Sequence, residues 1–393
     1  MKKLFYQDPY ISSFTTNLLT QKEDELNQTY VVLEETAFYP TGGGQPNDTG
    51  TLNGIRVVNV DEVEGEVRHY VEQKLPSPLE EVVGNIDWER RFDHMQQHAG
   101  QHILSAVFEE LFDINTIGFH LGTEFVTIDL DIEELTEDTA WKAEQRANQI
   151  ILENRSIETK WITADEVSHY PMRKKPSVEE NIRLVIIPDF DYNGCGGTHP
   201  SSTGQVSAIK ILDWERQRKK TRLTFICGNR IRKELHKKNN VIKELSPLLN
   251  APEKDMGKAV SRLLANIKQL EKSLEEKKEE LLIHEGKELI TTTENGLIGK
   301  VFEGRSIQEL QKLARVIIAQ KENSVVFLIA LNGNQLQFVC AKGAAATGNM
   351  KMTAAEVLPI LNGKGGGNES FAQGGGEARL TAEQLLSLLQ EKL

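Results

Sequence analysis

Apolar and polar residues alternate in short runs over residues 1–90, notably at 31–33, 51–60 and 66–72, with Gly, Asn and Asp between the runs. A period of two punctuated by turn residues predicts short strands that together form a small β-barrel or curled sheet. From residue 91 the period changes. Ile103, Leu104, Val107 and Leu111 recur at helical spacing, which predicts a helix over 94–111 with His98 and His102 projecting from one face. Residues 116–131 alternate again, Phe125, Thr127 and Asp129 against Val126, Ile128 and Leu130, and a second helix is predicted over 137–154. Strands are expected at 182–187, 206–212 and 223–226, so that 91–228 reads as an α+β domain.

Beyond Arg230 the chain turns into charged helix. Ile231, Leu235, Ile242 and Leu245 mark a first helix, which Pro247 and Pro252 divide from a second. In that second helix Val260, Leu263, Ile267, Leu270, Leu274 and Leu281 follow a 3-4 heptad spacing, interrupted at Lys277. An arm over 229–287 is therefore expected, as an antiparallel helical hairpin or a short dimeric coiled coil. The remainder, 288–393, predicts helices at 306–321, 353–361 and 381–392 and strands at 324–331 and 336–341, a small α/β domain. The fold class is thus α+β and multidomain: a barrel, an α+β domain, a helical arm and a C-terminal α/β domain.

At 393 residues the chain is long enough for several cores, and its net charge of −12 argues against broad, non-specific nucleic-acid binding. A local basic patch remains. Arg216, Arg218, Lys219, Lys220 and Arg222 fall at a predicted hairpin tip, and a smaller cluster occupies 173–175; each is a solvated turn or a guide for a phosphate backbone. No secretory segment or bilayer-length apolar run occurs, which predicts a soluble, cytoplasmic protein without membrane contact. The three cysteines, Cys195, Cys227 and Cys340, are odd in number and widely spaced. That fits a reducing compartment with one cysteine committed to a metal.

The chemistry is concentrated in two cassettes, His98-Ala-Gly-Gln-His102 and Cys195-Gly-Gly-Thr-His199. Each sets two N or S donors four apart, and four such donors suit tetrahedral Zn²⁺. Ala99, where a zincin protease carries Glu after its first His, disfavours that chemistry. Two glycine-rich segments stand out besides. One follows Phe38-Tyr39-Pro40-Thr41 and runs Gly42-Gly43-Gly44-Gln45 without the Lys-Ser/Thr of a P-loop. The other, 363–376, contains Lys364 and offers unobstructed backbone N–H groups for a nucleic acid or anion, or else is a flexible loop.

On these residues the chain resembles the freestanding alanyl-tRNA editing proteins of the long AlaX type, relatives of the editing region of alanyl-tRNA synthetase, over almost its whole length. The resemblance rests on the motif from Phe38 to Gln45, the HxxxH at His98 and the CxxxH at Cys195, with a C-terminal part like a DHHA1 domain. It implies that His98, His102, Cys195 and His199 bind zinc and that mischarged tRNA(Ala) carrying Ser or Gly is deacylated. A hydroxyl-recognising pocket is then required, for which Thr116 and His120, and less directly Thr41 and Gln45, are candidates. His94 is either a proton-transfer or supporting group or simply a surface histidine, and Asp191 is a candidate for orienting a metal-binding imidazole. tRNA contact is expected from residues 230–393 and the basic patch, with a homodimer through the arm or the last domain. Two rivals are a DHHA1-containing phosphoesterase, disfavoured because such enzymes use aspartate-rich Mn²⁺ sites, and a non-catalytic RNA-binding module with structural zinc.

Overall fold

Side chains at alternate positions of the N-terminal strands share one interior. In the computed structural model, which describes residues 1–76, 81–174, 180–293 and 295–393, six strands close into a barrel. Their order around it is Ser13–Glu23, Thr29–Leu33, Glu66–Val71, Ile55–Val63, Gly50–Leu52 and Glu81–Ile86. Val31, Leu33, Phe38, Val57, Val60, Val67 and Val82 fill the interior. The run at 51–60 is two strands rather than one, because Asn53 and Gly54, at φ 48° and 85°, reverse the chain between them.

The last barrel strand leads directly into helix α1, Trp88–Phe112. It starts ahead of the predicted residue 94, where Glu89, Arg90 and Arg91 carry no apolar periodicity. Arg91 is nevertheless fully buried: it pairs with Asp48 and donates to the carbonyls of Pro9 and Ala37, tying the helix to the barrel. Helix α2, Glu137–Leu152, is capped by Thr136, whose hydroxyl accepts from the Thr139 N–H. Both helices pack on an antiparallel sheet ordered Ile209–Gln217, Lys220–Cys227, Val126–Leu130, Thr116–Leu121. Ile103, Leu104, Val107, Ile128, Ala143 and Phe225 lie in that core. The alternation over 116–131 is a hairpin of two of these strands, and the strand expected from 206 begins at Ile209, after a 3₁₀ turn at Thr203–Val206. A smaller sheet of Glu158–Ile162, Ile182–Ile187 and Asp191–Gly194 has a central strand buried along its whole length.

Two compact units are present, Met1–Leu245 and Ser246–Leu393. Helix α3, Asn229–Leu249, ends the first unit and enters the second. In the second, helix α4, Met256–Thr291, carries the heptad residues, and Leu270 and Leu281 stand 68% and 65% exposed. A five-stranded sheet follows, ordered Leu297–Glu303, Val325–Asn332, Gln335–Lys342, Phe371–Glu377, Lys364–Gly367. Helix α5, Ile307–Gln320, covers one face, while α6, Met350–Val357, and α7, Ala382–Glu391, cover the other. The strand Leu297–Glu303 has no counterpart among the predicted elements. It pairs in parallel with Val325–Asn332, a register set by tertiary packing. The glycine-rich segment 363–376 is no loop: its two strands form an antiparallel edge hairpin. Among the described residues no helix is long and apolar enough to cross a membrane.

Candidate metal centre

Helical spacing places His98 and His102 one turn apart on α1, facing the loop that follows strand Asp191–Gly194. That loop carries Cys195 and His199, and the donor atoms of all four residues lie within 4.8 Å of one another. Cys195 Sγ is 3.4 Å from His98 Nε2 and 3.4 Å from His199 Nε2. Donors about 2.1–2.3 Å from a tetrahedral zinc are separated by edges of about 3.5 Å, a spacing that the two Cys195–imidazole distances match.

Neighbouring groups fix the rings. His98 Nδ1 is 3.0 Å from Gln45 Oε1, which also accepts from the Thr198 N–H, while Gln45 Nε2 donates to Thr198 Oγ1 at 2.8 Å. His102 Nδ1 is 3.1 Å from Asp191 Oδ2. His199 Nδ1 is buried without a partner among the described residues. Arg183, a lone charge inside the apolar strand Ile182–Ile187, donates through Nη1 to the carbonyls of Cys195 and Gly197 at 2.8 Å each, clamping the loop. Gly197 has to be glycine, since a Cβ there would meet the His98 ring at 2.2 Å. Gly44 adopts φ 80°, and a Cβ on it would meet Phe119 at 2.7 Å. Phe119 in turn stacks on His98 with ring centroids 5.2 Å apart.

The electrostatics suit a metal. Burial pushes the Cys195 thiol up, but His98, His199 and His102 around it outweigh that and bring it well below its ordinary value. Burial holds His199 down at about 3. Burial also pulls on His102, yet the hydrogen bond to Asp191 and the nearby Cys195 raise it to about 9. The lowered thiol and the raised imidazole favour each other's charged forms, and a cation among the four donors would compete with the His102 proton.

A cavity of about 370 Å³ opens beside the cluster, lined by Gly43, Gln101, Thr116, Phe119, Arg173 and Asn193 among others. Thr116 faces it, and its hydroxyl donates to Ser105 Oγ at 2.8 Å, which also accepts from Gln101 Nε2. Other expected residues stand elsewhere. His120, on the strand face opposite Phe119, is exposed and does not line the cavity. Thr41 is exposed, 3.5 Å from Asn47 Oδ1. Gln45 is 1% exposed, and its amide meets His98 and Thr198. His94 is 3% exposed and lines a separate cavity with Arg90, Asp93 and Arg230. Burial, then those arginines, holds it at about 3. One turn along α1 was too coarse a measure to tell which cavity it enters.

The basic patch is largely paired. Arg222 and Lys220 hold Asp129, and Arg216 holds Glu133; all three lie on strands, and only Arg218 and Lys219 form the tip. Lys364 is exposed beside a glycine-lined groove of about 500 Å³ in the second unit. Of the 173–175 cluster, Arg173 and Lys174 line the metal-side cavity, whereas Lys175 lies outside the described residues. Arg183, Gln101, Ser105 and Phe119 were missed from sequence. Only Arg183 carried a signal, a charge within a continuous apolar strand.

Residues 2–90 match the family of class II (A) tRNA synthetases, and residues 182–226 match the threonyl and alanyl tRNA synthetase second additional domain. The alanyl-tRNA editing protein AlaX-L of Pyrococcus horikoshii is 30% identical, over 100% of this chain and 98% of its own length. Alanyl-tRNA editing protein Aarsd1 of Mus musculus is 31% identical over the same shares, 100% and 98%. An alanine–tRNA ligase of Pyrococcus furiosus is 33% identical over 95% of this chain but only 42% of its own length, so the similarity reaches part of that enzyme. With end-to-end similarity to the freestanding proteins, and a His/His/Cys/His cluster built from two ordered motifs, this chain belongs to the alanyl-tRNA editing protein family.

Proposed function

We propose that the chain is a trans-editing hydrolase that cleaves the ester of tRNA(Ala) mischarged with Ser, and with Gly, at a zinc site held by His98, His102, Cys195 and His199. The observation that carries this reading is the convergence of those four donors at the wall of a cavity. An aminoacyl ester is already activated toward water, and Zn²⁺ bound there supplies Lewis-acid polarisation of a carbonyl or of water. The protein's own groups do the rest. Gln45 and Asp191 fix two imidazoles, Arg183 and Gly197 fix the cysteine loop, and Phe119 walls the cavity. The Thr116–Ser105–Gln101 hydrogen-bond chain gives the cavity hydroxyl and amide groups that can pair with a serine hydroxyl and that alanine would leave unpaired.

In this reading residues 1–228 perform hydrolysis. Residues 230–393, with a DHHA1-like domain and Lys364, supply tRNA affinity and a dimer contact along the exposed seam of α4. Arg218 and Lys219 are the patch residues left to meet phosphate. The test is deacylation of Ser-, Gly- and Ala-tRNA(Ala) by wild type, His98→Ala and Cys195→Ala after metal analysis. Loss of Ser-tRNA(Ala) hydrolysis together with bound zinc supports the assignment; undiminished hydrolysis by folded, zinc-free variants refutes it.

A further inference from the structure

Arg173 sits where the metal cluster meets the cavity. Its backbone N–H donates to the Tyr192 carbonyl at 3.1 Å, fixing it to the strand that leads into Cys195. Its Nε donates to Asp191 Oδ1 at 2.9 Å, and the other carboxylate oxygen is the one that meets His102. The remaining donors are different. The side chain, 12% exposed, forms part of the cavity wall, and neither Nη1 nor Nη2 has a hydrogen-bond partner among the described residues. A guanidinium with unengaged N–H groups at a cavity wall is a ready contact for an anion. Lys174 and Asn193 line the same cavity, so its lining combines two cations and a polar amide with His98, His102 and Cys195.

We propose that Arg173, assisted by Lys174, is a subsite for the phosphodiester immediately 5′ of the aminoacylated nucleoside, and that the same guanidinium positions His102 through Asp191. This rests on the reading of the substrate as an aminoacyl-RNA 3′ end. In such a molecule the scissile ester sits on the terminal ribose, and the nearest anion is the phosphodiester on that ribose's 5′ side. A planar guanidinium suits the task because it can hold a carboxylate with one edge and a phosphate oxygen with another. Docking of the RNA end and orientation of a metal-binding imidazole then share one side chain.

Two short substrates isolate the phosphate, 3′-O-seryl-adenosine, which has none, and 3′-O-seryl-CpA, which has one. Each is given to zinc-loaded wild type and to the Arg173→Gln, Arg173→Lys and Asp191→Asn variants. The quantity read is the preference for seryl-CpA over seryl-adenosine in kcat/KM. It is expected to fall about 10- to 100-fold in Arg173→Gln, the worth of a charge-assisted contact, and to recover in part in Arg173→Lys. Asp191→Asn lowers both rates together and leaves the preference in place. An Arg173→Gln variant that loses both rates by equal factors, or neither, overturns the subsite. Calorimetric binding of the non-hydrolysable 3′-seryl-amide analogues of adenosine and CpA separates this from the hydrolase reading. If wild type cleaves neither ester, a CpA preference in binding that Arg173→Gln abolishes still supports the subsite, and equal binding of the two analogues by wild type overturns it.

Discussion

Two arginine–aspartate pairs, one with its arginine on helix α1 and one reaching that helix through His102, are built to opposite ends. Arg91 and Asp48 are both 0% exposed, and Nε, Nη1 and Nη2 of the arginine all donate to the protein, to Asp48 and to the carbonyls of Pro9 and Ala37. Asp191 is nearly as buried and Arg173 is 12% exposed, yet among the described residues only Nε of that arginine is engaged, by Asp191, which it shares with His102, and at 4.0 Å by Glu109. The first pair is closed and joins barrel to helix. The second is open and faces a cavity. The two pairs thus differ in how much of the arginine's hydrogen-bonding capacity the protein itself uses.

The comparison breaks most directly at the closed pair. Replacing Asp48 by Ala, or Arg91 by Met, leaves an uncompensated buried charge and should cost about 3–5 kcal/mol in urea unfolding of the full chain. Arg173→Gln, which leaves the Asp191 carboxylate with His102, should cost far less; equal losses at the two sites would erase the distinction.

A second saturated group sharpens it through pH. His69, fully buried in the barrel, meets the Thr36 hydroxyl at 2.7 Å and the Val31 carbonyl at 3.1 Å, and burial holds it down to about 4. Its neutral form is favoured in the folded state. Stability is therefore complete above the unfolded value of about 6.5 and is lost as pH falls from there to about 4, by about 3 kcal/mol in total. Unfolding free energies at pH 7.5 and 4.5 should show this slope, and His69→Gln should flatten it at some cost in stability at neutral pH. A slope unchanged in that variant would assign the effect elsewhere.

The smallest effect belongs to the open pair. Asp191→Asn removes the anion that holds His102 but keeps its shape, so zinc affinity measured by competition with a chromophoric chelator should fall about 10- to 100-fold. The fold should stay intact, and an unchanged affinity would show that Asp191 does not tune the cluster.

Much of this was legible in the chain. Periods of two and 3.6 are local properties, so the barrel-region strands, α1, α2 and the heptads of α4 announced themselves, and four donors in two i, i+4 pairs marked the candidate cluster. What the periodicity could not carry were the exceptions to it. The start of α1 has polar residues buried by tertiary ion pairing, and strand Leu297–Glu303 owes its place to a parallel neighbour. Segment 363–376 looks flexible by composition but is held as a hairpin by backbone hydrogen bonds.

By itself, then, the sequence determined the inventory: which stretches can bury a face, and which side chains can bind a soft divalent metal. The tertiary structure decided allegiance. His94 and His98 are one turn apart, yet one enters a separate cavity and the other meets Cys195, 97 residues away. Arg216, Lys220 and Arg222 look like an RNA patch until Glu133 and Asp129 are seen to pair with them. Arg173, one of three adjacent basic residues, becomes a candidate only when its neighbour in space is Asp191. Charge and hydrogen-bonding capacity are fixed by residue type, but whether they are already satisfied depends on groups distant in sequence, and only the fold brings those together.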